Sequence, residues 1–351
     1  MKHPAYHLRP NKAIDRFMLI EILKCFDDIT TFEYIGFGGP FLEDFRLLHQ
    51  YFPAISLICI EKNQATYKRQ HFHKVTKNMS LLQMPYQNFL SQHDFRKKSC
   101  VWLDYTTFDK NCLSEFCDTI QRVQEGSIVK ITVRSDTDED IIPQYTESIL
   151  SLISTCIKEN FSFDEKTQDE LIETLNNIIK KEENCQSSQK RFLAEFAEYL
   201  PDNYEQYLKN SNQQKLLIKL IFKQAVISSC AGDMFFFPVN CTCYNDQTEM
   251  MSLTGVVINR SQTEQIKHLL SKFNFLDTAW DSYPQKIDIP MLSLKERLKL
   301  EKYLPLKKTN GRILHKALGY NVMNKEKQSL EILKLYNDFY KYYPVIGKLS
   351  L

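Results

Sequence analysis

The stretch Phe32-Glu33-Tyr34-Ile35-Gly36-Phe37-Gly38-Gly39-Pro40-Phe41-Leu42-Glu43-Asp44-Phe45 joins an apolar, strand-like run to a glycine turn and then to the start of a helix. The next apolar run, residues 55–60, ends at a carboxylate, Glu61. This is the order of a βαβ unit that binds an adenosine cofactor, because the glycines let the backbone approach the ligand and the acid accepts hydrogen bonds from ribose hydroxyls. The stretch therefore predicts a nucleotide-type site.

Overall charge gives no strong preference for a partner. The 351 residues include 45 Lys+Arg and 43 Asp+Glu, a net charge of +2, so no global field attracts nucleic acid or an anionic membrane, although a local basic patch stays open. Residues 1–7 lack the apolar core of a signal peptide, and no run approaches the roughly 20 apolar residues of a spanning helix. We expect a cytoplasmic protein without a membrane partner.

The ten cysteines do not have the spacing of a disulfide framework or a zinc site. Their one close pair is Cys241 and Cys243, and most others stand singly in apolar runs, where a thiol behaves as a small hydrophobic group. His71 and His73 are two residues apart on a predicted helix, so they do not share a face. We expect reduced cysteines and no bound metal.

Apolar periodicity predicts an α/β fold. Strand-like runs at residues 32–35, 55–60, 79–83, 100–104 and 127–133 alternate with helical segments, which favours a parallel sheet covered on both faces. Residues 234–244 and 250–258 flank an Asn245-Asp246 turn and predict a β-hairpin. The pattern indicates a Rossmann-like, seven-stranded, mostly parallel sheet in a three-layer α/β/α sandwich.

Two regions depart from this alternation. From residue 140 to about 212 the strand signal disappears and helical spacing takes over, which predicts a helical insertion. From about residue 260 the chain is basic, aromatic and helical, with several prolines. We therefore predict a domain over residues 1–259 and a helical extension over residues 260–351, in which the aromatic side chains serve core packing or a dimer contact.

A known family shares several of these motifs. On residues 7–16 (HLRPNKAIDR), 34–40 (YIGFGGP) and 103–106 (LDYT), together with Glu61 and the hairpin, the chain resembles the class I S-adenosylmethionine-dependent methyltransferases. More narrowly, it resembles a bacterial family described as "putative O-methyltransferase". The resemblance implies S-adenosylmethionine as cofactor and methyl transfer to an unidentified acceptor, with a hydroxyl oxygen expected.

The resemblance also implies roles for individual residues. Glu61 is expected at the ribose hydroxyls, Lys62 or Asn63 near the adenine, and Gln83 at an adenine contact. Asp104 and Tyr105 end the fourth strand, where the class places residues that meet the transferred methyl group or its acceptor, so they are the expected catalytic residues. The remaining expected cofactor contacts are in the first turn: Tyr34, Gly36, Phe37 and Gly38.

The chain also departs from the family pattern. Tyr34 stands where an acid is usual, Pro40 replaces the third glycine, and only amides follow the third strand. These departures keep a second function open, a catalytically inactive, methyltransferase-like binding or assembly module in a multi-protein bacterial system. A nicotinamide-dependent oxidoreductase fits less well, because its glycine pattern is incomplete. Nucleic acid, a protein partner and a homo-oligomer all remain open as partners.

Charged side chains in two further places need an explanation. His7, Arg9, Lys12 and Arg16 form a basic N-terminal cluster, for which a solvated face is slightly favoured over contact with the cofactor carboxylate or an anionic substrate. Lys130 lies inside a central strand, where it would be a buried charge unless it is paired. Methyltransferases that modify the amino groups of bases often carry two prolines after an Asp or Asn at this position. Asp104 is followed by Tyr105 instead, which argues mildly against an enzyme of that type. The Asp104 carboxylate could assist deprotonation of a hydroxyl.

Overall fold

The computed structural model describes residues 9–135, 189–230, 232–306 and 311–343. Its first part alternates helices and strands as the periodicity predicts. The elements are α1 (Pro10–Leu23), β1 (Glu33–Gly36), α2 (Glu43–Tyr51), β2 (Ser56–Ile60), α3 (Gln64–Phe72), β3 (Ser80–Leu82), α4 (Tyr86–Gln92), β4 (Ser99–Asp104), α5 (Lys110–Arg122) and β5 (Ile128–Arg134).

The second part contains the predicted hairpin between helices. Its elements are α6 (Ser211–Ser229), β6 (Met234–Asn245), β7 (Glu249–Asn259), α7 (Thr263–Leu269), β8 (Gln285–Ile287), α8 (Leu294–Glu301), α9 (Gly311–Leu318) and α10 (Glu326–Phe339). The predicted insertion falls mostly on residues 136–188, outside the described residues; of the remainder, residues 189–195 are helical.

The eight strands in the described part of the chain form one sheet, in the order β3-β2-β1-β4-β5-β7-β6-β8. Strands β1 to β5 are parallel, β7 is antiparallel to both β5 and β6, and β8 is parallel to β6. The predicted α/β class is confirmed, with eight strands instead of seven. The additional strand, β8, is three residues long and gave no signal in the sequence.

Helices cover both faces of the sheet, so the predicted three layers are present. Along β4, Cys100 and Trp102 face one hydrophobic core while Val101 and Leu103 face the other. The first core contains side chains of α1, α2 and the C-terminal helices, and the second contains those of α4, α5 and α6.

The C-terminal residues pack against the sheet. Ile287 of β8, Leu314 of α9 and Tyr336 of α10 are fully buried in the first core, as is Phe339. The aromatic tail therefore contributes to core packing. The division predicted at residue 259 stays a prediction about chain organisation.

Within the described part of the chain, three negative findings bear on function. The eight described cysteines are free. The described residues contain no group of three His, Cys, Asp or Glu side chains arranged to hold a metal ion. None of the described helices has the length and apolar character needed to cross a membrane.

A buried ion pair attaches α1 to the sheet. Lys130 of β5 donates to Asp15 of α1 at 2.7 Å, and both side chains are 1% exposed. Asp15 also accepts hydrogen bonds from Thr242 at 2.9 Å and Ser252 at 3.1 Å, and the ammonium lies 4.2 Å from the ring centroid of Trp102. Burial lowers the pKa of Lys130, and the carboxylate opposes that shift. The partner expected for Lys130 is therefore Asp15.

Removing this carboxylate tests how strongly the fold depends on the pair. Asp15→Asn leaves a buried ammonium without its counter-charge, so we expect a loss of about 3–5 kcal/mol in the free energy of unfolding, measured by urea denaturation. Asp15→Asn/Lys130→Met removes both charges and is expected to recover most of that loss. Asp94→Asn, which breaks the exposed pair of Asp94 with Arg96, serves as control and should leave the midpoint nearly unchanged. A small effect of Asp15→Asn would contradict the assignment.

Candidate functional site

A cavity of about 590 Å³ opens at the carboxyl ends of the parallel strands. The turns after β1, β2 and β4 form its floor, and α1 and the β6–β7 turn close one side. Ligands of open α/β sheets bind at this edge. The residues that line it include Arg9, Lys12, Arg16, Phe37, Gly38, Phe41, Glu43, Asp44, Glu61, Lys62, Thr66, Tyr86, Asp104, Tyr105, Glu115 and Asp246.

The glycine turn after β1 is shaped by backbone conformation and close packing. Gly38 has a φ of 69°, a value that L side chains rarely adopt, and a Cβ there would lie 2.6 Å from Cε2 of Phe45. From α3, the fully buried Gln70 donates to the carbonyls of Phe37 at 2.9 Å and Gly39 at 3.0 Å. The turn is therefore held in one conformation with its backbone at the cavity wall.

Glu61 lies directly after β2 on the cavity wall, where the sequence predicted a ribose-binding carboxylate. Its backbone N–H donates to Leu82 at 3.0 Å, and its Oε1 accepts the N–H of Asn63 at 2.7 Å. These bonds hold the half-buried carboxylate at the edge of the sheet.

Three aromatic rings form one wall of the cavity. The ring of Phe37 packs edge-on against Tyr105 at 5.2 Å and against Tyr86 at 5.6 Å between centroids. The Tyr105 hydroxyl donates to Glu115 of α5. Burial and the neighbouring Glu115 raise the pKa of Tyr105 well above its usual range, and burial raises that of Glu115. Tyr105 therefore stays protonated at neutral pH and acts as a donor, not as a base.

The opposite wall is charged and belongs to α1. Lys12 forms an ion pair with Asp104, whose side chain is 22% exposed, and Arg16 pairs with Asp44 and, at 3.1 Å, with Glu43. Burial opposes the charge of Arg16, but the two carboxylates outweigh it and raise its pKa. The favoured prediction of a solvated basic face is wrong for Lys12 and Arg16, because both are buried against acids distant in sequence.

Asp246, in the β6–β7 turn, fixes the first turn of α1. Its carboxylate accepts the backbone N–H groups of Asn11 at 3.1 Å and Lys12 at 2.8 Å, which have no partner within a helix. The Asn11 amide also donates to the carbonyl of Asn245 at 3.0 Å. The sequence indicated only a hairpin turn here, whereas the structure shows that this turn positions Lys12 at the cavity.

The structure brings most of the predicted site residues together. The cavity wall includes Phe37, Gly38, Glu61, Lys62, Asp104 and Tyr105. Tyr34 is buried within the sheet against Phe45, 4.8 Å between ring centroids, and Gly36 lies beside the Trp102 carbonyl. Gln83 is exposed, and the next two residues, Met84 and Pro85, line the cavity. The roles assigned to all these residues stay predictions.

Sequence reasoning did not identify several lining residues as site residues. Asp44, Glu115 and Tyr86 gave no motif signal, and Asp246 stood out only as a turn residue. The acids on α2 and α5 have the appearance of ordinary helix-surface residues in the sequence. Only the contacts across the sheet edge assign them to the cavity.

A family model described as "Putative O-methyltransferase" matches residues 4–351. The chain therefore belongs to this family, and the family resemblance predicted from the sequence is confirmed. No curated protein matches the chain.

Several solved structures are similar over part or most of the chain. The S-adenosylmethionine-dependent methyltransferase SibL, in its apo form, is 10% identical with a TM-score of 0.33 over 69% of this chain and 55% of that one. Trm1 from Pyrococcus horikoshii with S-adenosyl-L-methionine is 9% identical with a TM-score of 0.41 over 93% and 76%. An O-methyltransferase from Bacillus cereus in complex with SAH is 8% identical with a TM-score of 0.37 over 73% and 84%. The chain spans little more than half the length of SibL.

We expect a side chain at Gly38 to destabilise the protein by more than the strain of a left-handed backbone conformation alone. Gly319 offers a matched control, since its φ is 86° and a Cβ there meets nothing within 4 Å. We expect Gly319→Ala to cost about 1–2 kcal/mol, the strain of a left-handed conformation. Gly38→Ala should cost about 1–3 kcal/mol more, because the methyl group overlaps Phe45. Urea denaturation measures both, and equal costs would contradict the packing argument.

Proposed function

We propose that the protein transfers a methyl group from S-adenosylmethionine to a hydroxyl oxygen. One observation carries the proposal: a single cavity collects the glycine turn after β1, Glu61 after β2 and Asp104 after β4. These three strands are neighbours in the sheet, so their carboxyl ends form a continuous edge. Membership of a family described by O-methyl transfer supports the same reaction.

The residues on the cavity wall fit an adenosine cofactor. A volume of about 590 Å³ is in the range of small-molecule sites. Glu61 would accept hydrogen bonds from the ribose hydroxyls, the backbone at Gly38 would pass close to the ligand, and Phe37, Tyr86 and Tyr105 offer apolar contact area. When bound, S-adenosylmethionine supplies an electrophilic methyl group. The protein's contribution is to align this group with the acceptor and to exclude water.

The acceptor would lie on the charged side of the cavity. Asp104 is the carboxylate at the end of β4, and it would orient the acceptor hydroxyl and accept its proton. Lys12 holds Asp104 in place through their ion pair. The Tyr105 hydroxyl donates its one proton to Glu115, so its expected role toward the acceptor is packing contact.

The same ion pair favours a second candidate, the inactive binding or assembly module. The Lys12 ammonium already occupies one oxygen of Asp104, which leaves less of that carboxylate free to bond an acceptor hydroxyl. Pro40 in the turn and Tyr34 in the position of an acid agree with that alternative. The two candidates differ in turnover, because a module binds its ligand without producing S-adenosylhomocysteine.

Cofactor binding can be measured without knowledge of the acceptor. Calorimetric titration should show micromolar binding of S-adenosylmethionine and S-adenosylhomocysteine and none of the oxidised nicotinamide dinucleotide. Glu61→Ala should weaken cofactor binding by about 1–3 kcal/mol, the cost of a lost charged hydrogen-bond acceptor. Glu264→Ala, at an exposed carboxylate on α7, is the control and should leave the affinity unchanged. Unchanged affinity in Glu61→Ala would refute the cofactor site.

The variant Asp104→Asn distinguishes a role in cofactor binding from a role in methyl transfer. The amide keeps the shape of the side chain but accepts a proton poorly, so the rate of methyl transfer should fall by about 10²- to 10⁴-fold. Cofactor affinity should change little, since Asp104 is assigned to the acceptor. A tritium-labelled methyl group, followed on a hydroxyl compound that the wild type methylates, measures the rate. Full activity of the variant would exclude Asp104 as the base.

A further inference from the structure

A basic surface next to the cavity is not explained by cofactor binding. Residues 62–93 contain no Asp or Glu, although they include four lysines, one arginine and three histidines. The whole chain carries only +2, so positive charge is concentrated in this segment. We call a group of side chains on and after α3 the α3 patch: Lys68, Arg69, His71, Phe72, Lys74 and Lys77, all exposed except the half-buried Lys74.

The charges of the α3 patch face solvent without neutralising partners. Within the described residues, no carboxylate forms an ion pair with Lys68, Lys74 or Lys77. Lys68 and Phe72 are four residues apart and share a helix face. Phe72 is 85% exposed, more than any other large hydrophobic side chain in the described part of the chain. An exposed aromatic ring among unpaired cations is the arrangement that binds single-stranded nucleic acid, where bases stack and phosphates meet the cations.

The α3 patch is continuous with the mouth of the cavity. The guanidinium of Arg69 lies 4.4 Å from the ring centroid of Phe41, and that ring lines the cavity. Lys62 and Thr66, just before and within α3, also line it. A polymer bound on the patch would therefore have a short path to the site.

We propose that the α3 patch binds single-stranded RNA and presents a ribose 2′-hydroxyl to the cavity. The second half of this statement rests on the proposed hydroxyl methyl transfer. In that step the 2′-oxygen forms a bond to the methyl carbon as the sulfur–methyl bond breaks. The hydroxyl proton passes to Asp104, and S-adenosylhomocysteine remains.

The surface favours this partner over others on three grounds. Phe72 needs an exposed base to stack on, which a duplex does not offer. DNA lacks the 2′-hydroxyl that the proposed chemistry needs. Nine residues make α3 about 13 Å long, which is close to four phosphate spacings of a stacked strand. The α3 patch offers four lysine and arginine cations, two on α3 (Lys68 and Arg69) and two just after it (Lys74 and Lys77).

Binding is tested by fluorescence anisotropy with a labelled 12-nucleotide oligouridylate, over a series of salt concentrations. The triple variant Lys68→Gln/Lys74→Gln/Lys77→Gln should weaken binding and reduce the slope of log affinity against log salt by about 2, or about 0.7 per lost phosphate contact. Phe72→Ala should weaken binding by about 5- to 100-fold through lost stacking. Lys68, Phe72 and Lys77 are exposed and Lys74 is half-buried without an acidic partner among the described residues, so folding should be little affected.

The segment around α8, residues 291–302, offers matched controls. Lys295→Gln/Lys299→Gln/Lys302→Gln removes three lysines from another basic surface, and Met291→Ala removes a side chain that is 77% exposed. Both variants should bind the oligonucleotide as the wild type does. Equal losses from the α3 and α8 variants, or stronger binding of polyglutamate than of RNA, would overturn the proposal.

Transfer of a tritium-labelled methyl group to the oligouridylate tests the acceptor. Labelling that is lost on fully 2′-O-methylated RNA, and in the α3 triple variant, supports the proposal. No labelling by a protein that binds S-adenosylmethionine overturns the ribose acceptor. Absence of cofactor binding in the calorimetric titration instead refutes the proposed function, while the anisotropy series still decides whether the α3 patch binds RNA.

Discussion

The geometry of the site depends on the buried ion pair between Asp15 and Lys130. Its desolvation is costly, and the hydrogen bonds from Thr242 and Ser252 to the carboxylate help to offset that cost. The pair joins α1 to strands β5, β6 and β7 at once, so α1 has one position over the sheet. Lys12 lies three residues before Asp15, on the same side of the helix, and that position brings it to Asp104. The position of the charged wall of the cavity therefore follows from the buried Asp15–Lys130 ion pair.

The sequence predicted the fold well because its signals are local. Apolar runs, the glycine turn and the Asn245-Asp246 turn specify strands and connections within a few residues, and the order of five strands followed by a hairpin left few topologies. β8 was missed because three residues are too few to show a period, and it forms only because β6 offers an edge. Residues 136–188, where the helical insertion was predicted, lie outside the described part of the chain.

The site was predictable only where strand ends determine it. Gly38, Glu61 and Asp104 each follow a strand, so the parallel topology alone places them at one edge. Lys12 and Arg16 were misjudged because their charge partners, Asp104 and Asp44, lie 92 and 28 residues away in the chain. A basic helix face has the same sequence pattern whether water solvates its charges or carboxylates pair with them. Lys130 stood out in the sequence because a lysine inside a central strand needs a partner wherever that partner lies, but only the structure identifies Asp15.

The Lys12–Asp104 pair also sets a condition on any reaction in this cavity. Asp15 and Asp246 hold the backbone of α1 in place, and the Lys12 side chain, which is 8% exposed, lies against Asp104. An acceptor hydroxyl must therefore bond to the carboxylate while the ammonium stays close. The ammonium stabilises negative charge that develops on an acceptor oxygen as its proton leaves. Methyl transfer depends mainly on alignment. A fixed carboxylate beside a fixed ammonium is thus compatible with a polar hydroxyl acceptor and disfavours a substrate that only fills apolar space.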